Sequence, residues 1–351
     1  MINDDIKNQK AGDYSTNFQA QNITLVNQQV IPVEYISTIC EKIVKNNMLK
    51  YTIDAEEKVI QRFNKFKNLY IGEVSKQKEE IIEKLTEKFK EPSMQDAFFQ
   101  AQKGYTKYGD EEKAEKLVQL LIEKGKQESG SRKDILIDDA IDKLSKMTNN
   151  QLNILSYLIS ITINHPSHNI EDFHQNYINS LLQFYNSINQ THLNSDIQYL
   201  MQLSCIRQIS FAQNENKIIK QIMDSYAGLF AAGFTKQEFE NEFGIIPNNI
   251  IMPCFINNSL WQIAALNKNK LEEICTDIKA TPEQKSILYK FYERILPKER
   301  IEEILIKMEP NIRRLLDITN NIHNYMLMPL GTLIGIKNYE VVLKTEVQWE
   351  F

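Results

Sequence analysis

One cluster of histidines has residue types that could bind a metal ion. Three of the five histidines fall between residues 165 and 174, and histidine nitrogens with a carboxylate are typical of zinc sites. The candidate ligands are His165, His168, Asp172 and His174. A polar loop between two helices is the alternative, because Pro166 interrupts the segment and residues two apart on a helix point to different faces. The loop is favoured, and we predict neither a metal nor another cofactor.

Sequence signatures of common enzyme active sites are missing from the chain. It contains no Gly-rich phosphate-binding loop, no dinucleotide-binding fingerprint, and no HExxH or GxSxG motif. Its four cysteines form no CxxC pair, which is typical of reduced thiols in a cytosolic protein. An enzyme, such as a metal-dependent hydrolase, stays open as an alternative because catalytic residues from distant helices can converge in the fold.

Two short basic stretches are candidates for contact with nucleic acid. The first joins Lys124 and Lys126 with Arg132 and Lys133, and the second is the pair of arginines at 313 and 314. Neither alternates with aromatic residues as single-strand binding surfaces do. The chain has 41 basic and 46 acidic residues and a net charge of -5, which also disfavours nucleic-acid binding. A nucleic-acid-associated regulator is therefore the third interpretation.

Residues 12–27 are the strongest candidate for an interaction site. This segment mixes β-branched and aromatic residues with Asn and Gln and lacks the period of a helix, so it predicts an extended strand. Copies of such a strand can pair between chains, with their amide side chains stacked in ladders. A terminal tail without a partner is the other interpretation. The residues expected to make the contacts between chains are Gly12, Asp13, Ser15, Thr16, Asn17, Phe18, Gln19, Ile23 and Leu25.

The rest of the chain is predicted to be mostly helical. With only 11 glycines and 9 prolines in 351 residues, few positions interrupt helices. Apolar residues at steps of three and four from Val59 to Phe89, with a capping box at Asp54 and Glu57 and a stop at Pro92, predict one helix about 50–60 Å long. Thr148 and Thr281, each followed three residues later by Gln, predict the N-terminal caps of two later helices.

Charge patterning and the chain ends indicate four regions. Residues 41–146 contain 22 basic and 21 acidic residues, whereas residues 147–215 contain one basic and four acidic residues. From Leu343 to Phe351 apolar and polar residues alternate, which predicts a strand. We predict an extended segment at 1–33, a charged helical arm at 34–146, a helical core domain at 147–340 and a C-terminal strand at 341–351. The predicted fold is mainly α and multi-helical, with a minor β element formed by the chain termini, because strands need hydrogen-bonding partners.

Two glycines predict a site of close helix packing. Gly331 and Gly335 lie four residues apart in an apolar stretch that begins near a proline at position 329. This spacing removes side chains from one helix face and permits close approach of another backbone. Contact between the helix N-terminus and a ligand is the alternative.

Three short patches resemble a group of uncharacterised bacterial proteins. The run Gly-Asp-x-Ser-Thr-Asn-x-Gln-Ala at residues 12–20 is similar to the N-terminal tag of that group. Residues 226–235 and 329–338 are similar to its mid-chain signature and its tail element, although the group's ending, an acidic residue before Leu-Ser-Ile-Trp, is not present here. Related tags occur on bacterial signalling and phage-defence proteins for which self-assembly has been proposed. The resemblance thus implies a self-assembling bacterial protein and transfers no catalytic residue.

Localisation and function follow from these patterns as expectations. The first ten residues lack the apolar core of a signal peptide, and the most apolar stretch, residues 325–336, is too short to span a membrane. We therefore expect a cytoplasmic protein without membrane contact. The leading interpretation is a non-enzymatic, self-assembling interaction protein, a homo-oligomer with a further protein partner, in bacterial phage defence or stress.

Overall fold

The structure is a computed structural model that describes residues 32–45, 53–163, 167, 169–209, 216–317 and 321–347. Within these residues the chain is mainly helical, with two small antiparallel pairs of strands. The expected fold class, mainly α with a minor β element, is confirmed, but the described strands lie within residues 206–327 and are not formed by the chain termini as predicted. The interaction segment predicted at residues 12–27 lies outside the described residues.

Seventeen α-helices, two of them single short turns, follow one another through the described residues. They are α1 Pro32–Lys45, α2 Ile53–Ser75, α3 Glu79–Lys88, α4 Pro92–Tyr108, α5 Glu111–Gly125, α6 Arg132–Leu144, α7 Asn149–Thr162, α8 Ile170–Phe173, α9 Asn179–Asn186, α10 Leu193–Gln202, α11 Lys217–Ser225, α12 Lys236–Phe243, α13 Lys268–Asp277, α14 Pro282–Tyr292, α15 Lys298–Met308, α16 Arg313–Leu316 and α17 Pro329–Leu343. A π-helical turn, His174–Ile178, joins α8 to α9. Among these described helices, none combines the length and the apolar composition that crossing a membrane requires.

The predicted caps at Thr148 and Thr281 are confirmed. The Thr148 hydroxyl accepts a hydrogen bond from the backbone N–H of Gln151, whose side-chain oxygen accepts the N–H of Thr148 in return. Thr281 and Gln284 form the same reciprocal pair at the start of α14. Each pair satisfies N–H groups that have no partner inside the helix.

The single long helix predicted through residues 59–89 is wrong. The chain leaves the helix after α2, and α3 starts only at Glu79, because Lys78 has an extended conformation with φ -64° and ψ 149°. The apolar stripe is nevertheless buried on both sides of the break, at Phe66, Tyr70, Leu85 and Phe89. Breaking the helix lets both halves bury this stripe, since α2 packs against α4 and α5 while α3 packs against α1 and α5.

The strand pairs lie inside the chain. Strand β1, Ile206–Gln208, pairs with β4, Tyr325–Leu327, and strand β2, Ile251–Pro253, pairs with β3, Trp261–Ile263. Both pairs are antiparallel and three residues long. Such short pairs need the support of neighbouring helices, and here α10 packs against β1 while α14 packs against β3.

The strand predicted at residues 343–351 is wrong for the part that the structure describes. Leu343 is the last residue of α17, and Lys344 ends the helix in the left-handed conformation. The chain then folds back on Glu340, whose carboxylate accepts the N–H of Val347 at 3.0 Å. Residues 345–347 belong to no strand, and residues 348–351 lie outside the described part.

A first buried cluster extends from α1 to α17. Its buried apolar residues run from Ile36 to Tyr339, and α7 packs along α17 at its centre. The charged first half of the chain shares this cluster, because α5 and α6 both pack against α17. The burial of apolar surface therefore joins α5 and α6, from the charged first half, to α17 and through it to α7.

A second, smaller buried cluster lies within residues 227–292. Four aromatic rings form its centre, with the Phe291 ring edge-on to Phe234 at 4.8 Å and to Phe239 at 5.0 Å, and Phe243 stacked on Phe239. Such edge-to-face contacts stabilise aromatic pairs beyond the area they bury. Helices α12, α13 and α14 and the β2–β3 pair surround these rings and complete the cluster.

Candidate functional site

A cleft of about 460 Å³ opens beside the second cluster, and it is the candidate functional site. Its apolar lining consists of Met252, Phe255, Ala264, Ala265 and Leu266. Its polar lining consists of Ser167, Gln262, Asn267, Asn269, Lys270 and Glu273. The volume falls in the range of sites that bind small ligands or a few residues of a peptide.

Two crossings of the chain hold the second cluster, and with it the cleft, on the first cluster. On the way in, the N–H of Ala232 donates to the carbonyl oxygen of Arg294 at 2.7 Å. On the way out, the N–H of Leu296 donates to the carbonyl oxygen of Phe230 at 2.9 Å. Because the two crossings are hydrogen-bonded side by side, they help to position the second cluster through backbone groups.

Gly228 fixes the apolar lining of the cleft at close range. Its N–H donates to the carbonyl oxygen of Leu266 at 2.9 Å, and its own carbonyl oxygen accepts the side-chain N–H of buried Gln262 at 2.8 Å. A Cβ at position 228 would lie 2.0 Å from the carbonyl oxygen of Ala265. Only glycine therefore permits the loop before α13 to approach this closely.

The exposed rim of the cleft carries no net charge. Asn267 caps α13 by accepting the N–H of Lys270 at 3.0 Å. The ammonium group of Lys270 donates to the carboxylate of Glu273 at 2.8 Å, and this carboxylate raises the pKa of Lys270. Because these two charges offset each other, the lining favours an uncharged ligand with apolar and amide groups.

The predicted metal ligands are placed only in part. His165 and His168 lie outside the described residues. Asp172 is in the first turn of α8, and His174 begins the π-helical turn. The Nε2 atom of His174 is buried and has no hydrogen-bond partner among the described residues, and it lies 4.0 Å from a carboxylate oxygen of Glu309. Within the described part of the chain, no group of three or more His, Cys, Asp or Glu side chains could hold a metal ion.

The first basic stretch is built into an ion-pair network. Lys124 is fully buried, and its ammonium group donates to Asp134 at 2.8 Å and to Asp138 at 2.9 Å. Lys88 lies 3.6 Å from the same Asp134 carboxylate. Burial opposes ionisation of Asp134, but the bonds from Lys124 and the N–H of Gly130 outweigh it and hold the pKa of Asp134 below its ordinary value.

The remaining basic groups of the two stretches are mostly paired as well. Lys126 and Lys133 both contact the carboxylate of Glu123, at 3.9 Å and 2.8 Å. Arg314, in the second stretch, donates to the side-chain oxygen of Asn186 at 3.4 Å. The lysines of the first stretch are therefore paired with acidic side chains of the same protein, and these pairs would compete with binding to a phosphate backbone.

Gly331 and Gly335 lie where α17 meets other backbone. A Cβ at Gly331 would be 1.9 Å from the carbonyl oxygen of Cys205, and a Cβ at Gly335 would be 2.9 Å from the side chain of Ile159 on α7. The buried hydroxyl of Ser156 bridges the same two helices, since it donates to the carbonyl oxygen of Gly335 at 3.0 Å and accepts from Asn338 at 2.7 Å.

A buried tyrosine–histidine pair was not predicted from the sequence. The hydroxyl of Tyr157 lies 2.8 Å from Nε2 of His323, while no residue in the described part of the chain forms a hydrogen bond with the buried Nδ1 of His323. Burial, and then the Lys217 ammonium group, lowers the pKa of His323 to about 4. The two residues are 166 positions apart, so no local pattern connects them.

The cleft, the ion-pair network and both buried clusters fall within one family match. A family model described as ":-like" matches residues 31–350. The chain belongs to this family. Searches among curated proteins and among solved structures found no match.

The limits of the ":-like" match separate the chain into two parts. Residues 226–235 and 329–338, which resemble the bacterial group, lie inside it, whereas the tag at residues 12–20 lies outside. The ":-like" description specifies no reaction or ligand. The body of the protein is therefore the family unit, and the first 30 residues precede it.

Proposed function

We propose that this protein is a non-enzymatic interaction protein that assembles with copies of itself through residues 12–27. The observation that carries the proposal is that the family match starts at residue 31 and leaves residues 1–30 outside it. The family unit begins there, and the strand-forming, amide-rich segment stands before it. A segment with this composition gains most of its hydrogen bonds by pairing with another chain.

The buried chemistry of the body supports a binding role. Its buried charges serve the fold, since Lys124 is enclosed by Asp134 and Asp138, and Ser156 joins α7 to α17. Its cleft offers an apolar lining with amide groups and an internally neutralised rim. Such a surface suits the recognition of a peptide or protein segment.

The resemblance of the tag supports a place in bacterial phage defence or stress. Plating phage on bacteria with and without the protein tests that setting. We expect the full chain to lower plaque numbers and the chain without residues 1–30 to lose this effect. Equal plaque numbers for cells with and without the full chain would remove the defence role.

Self-association of the full chain tests the central proposal. Gln19→Pro removes a backbone donor in the middle of the predicted strand, whereas Gln9→Pro makes the same change outside it. Static light scattering at micromolar concentrations should show assemblies for the parent and for Gln9→Pro, and monomers for Gln19→Pro and for the chain without residues 1–30. A parent chain that is monomeric throughout this range would refute self-assembly.

A further inference from the structure

We propose that the cleft is the receptor for residues 12–27 of a second copy of the chain, with Phe18 in its apolar lining. This inference rests on the proposed function and names the surface that receives the segment. The segment of one copy enters the cleft of the next copy, so each copy contributes one segment and one cleft. A head-to-tail contact of this kind adds further copies unless the assembly closes into a ring.

The charge of the cleft matches the charge of the segment. Residues 12–27 contain one side chain that is charged at neutral pH, Asp13. The two charged groups of the rim, Lys270 and Glu273, form an ion pair with each other. A neutral ligand leaves this pair intact, whereas a strongly charged ligand would have to compete with one of its members.

The chemical groups also correspond. Phe18 is flanked by Asn17 and Gln19, so an apolar side chain lies between two amides. The cleft has the same composition, with Met252, Phe255 and Leu266 beside Asn267 and Asn269. An aromatic anchor in an apolar pocket with amide hydrogen bonds around it is a common arrangement in peptide recognition.

The segment is long enough to reach a neighbouring copy of the chain. Phe18 precedes Pro32, the first described residue of α1, by 14 positions, which an extended chain spans in at most about 50 Å. A compact chain of this length has a radius of gyration of only about 20 Å. Helix α1 packs on α2, α3 and α4, whereas the cleft is built from residues 252–273 and Ser167. The segment thus starts from the first-half helices and can reach the cleft of a neighbouring molecule.

Photocrosslinking of the full chain tests the contact. Phe18 is replaced by a benzophenone analogue of phenylalanine, and isotopically light and heavy copies are mixed before irradiation. We expect crosslinks between light and heavy copies at Met252 or Leu266, and a yield at least about tenfold lower when the analogue replaces Ile6. Asn269→Trp, at the exposed rim, should reduce the crosslink and the scattering mass, while Asn258→Trp, at an exposed position outside the cleft, should change neither.

Each other outcome overturns a defined part of the argument. Crosslinks from position 18 to residues 12–27 of another copy would mean that segments stack on each other, which overturns the receptor role of the cleft and keeps the proposed function. Crosslinks confined to one copy would overturn the second copy as occupant. A monomeric parent chain would overturn the proposed function together with this inference.

Discussion

The buried ion-pair network makes the sharpest prediction about stability. In Lys124→Met the ammonium group is lost, while a side chain of similar length fills its space. The Asp134 carboxylate, 3% exposed, then keeps only the N–H of Gly130 at 2.9 Å and the more distant Lys88 at 3.6 Å. Removing one partner of a buried ion pair costs about 3–5 kcal/mol when the remaining charge is left without compensation. Because Lys88 and the N–H of Gly130 remain, we expect the lower end of this range.

This free energy converts into a measurable fall in Tm. An unfolding entropy of about 2.1 cal/mol/K per residue, summed over 351 residues, converts 3–5 kcal/mol into roughly 4–7 °C. Thermal unfolding followed by circular dichroism at pH 7 measures it. Lys126→Met is the matched control, since the Lys126 side chain is 35% exposed and lies 3.9 Å from Glu123. Such a pair contributes about 0–1 kcal/mol, or roughly 1 °C.

The pH dependence provides a second readout of the same network. In the parent, Asp134 has a lowered pKa, so its contribution to stability is present above the ordinary carboxyl pKa and is lost as the pH falls through the folded value. In Lys124→Met, burial without Lys124 raises the pKa of Asp134. The deficit of the variant should therefore be largest at pH 7 and shrink toward pH 4. Equal losses for the two lysine variants, or a deficit that does not change with pH, would refute this reasoning.

Two further predictions concern the cleft and the buried histidine. Gly228→Ala should lower the free energy of unfolding by about 1–3 kcal/mol, because the new Cβ overpacks the site. Gly72→Ala has nothing within 4 Å of its new Cβ and should raise the free energy of unfolding by up to about 1 kcal/mol through helix propensity. Urea unfolding compares the two variants, and equal effects would contradict the close approach at the cleft. His323, whose pKa is lowered from 6.5 to about 4, should titrate near pH 4 by NMR. As the pH falls, the unfolded state binds this proton at a higher pH than the folded state does, so stability should decrease between pH 6.5 and pH 4. His323→Phe should lose less Tm than the parent over that interval, and an unchanged pH dependence would show that another group causes the fall.

Much of the helical framework could be predicted from the sequence. Thr148 and Thr281 begin helices with the expected caps, and the apolar stripe from Phe66 to Phe89 is buried as its spacing indicates. Both signals are local, since a cap joins residues three apart and a stripe repeats every three or four residues. The break between α2 and α3 was missed because the stripe continues through it, and only the packing of α3 on α1 and α5 favours the bend.

The sequence misled where a local pattern had two possible outcomes. Alternation after Leu343 indicated a strand, yet α17 continues to that residue and Glu340 then accepts the N–H of Val347. The basic stretch around Lys124 was a candidate for contact with nucleic acid, yet Lys124 is enclosed by two aspartates. The contact of Val347 with Glu340 decides the path of the chain after α17, and the contacts of Lys124 with the aspartates of α6 decide its role.

Composition and spacing by themselves determined that this chain is mostly helical, where several of its helices begin, and which of their faces are apolar, because those properties arise from neighbours within a few positions. Only the tertiary structure decided which segments pair as β1 with β4, that Tyr157 meets His323, and that Gly228 closes on the loop of the cleft. These contacts join positions that are 34 to 166 residues apart. Their partners are selected by the packing of whole helices, which no short window of sequence contains.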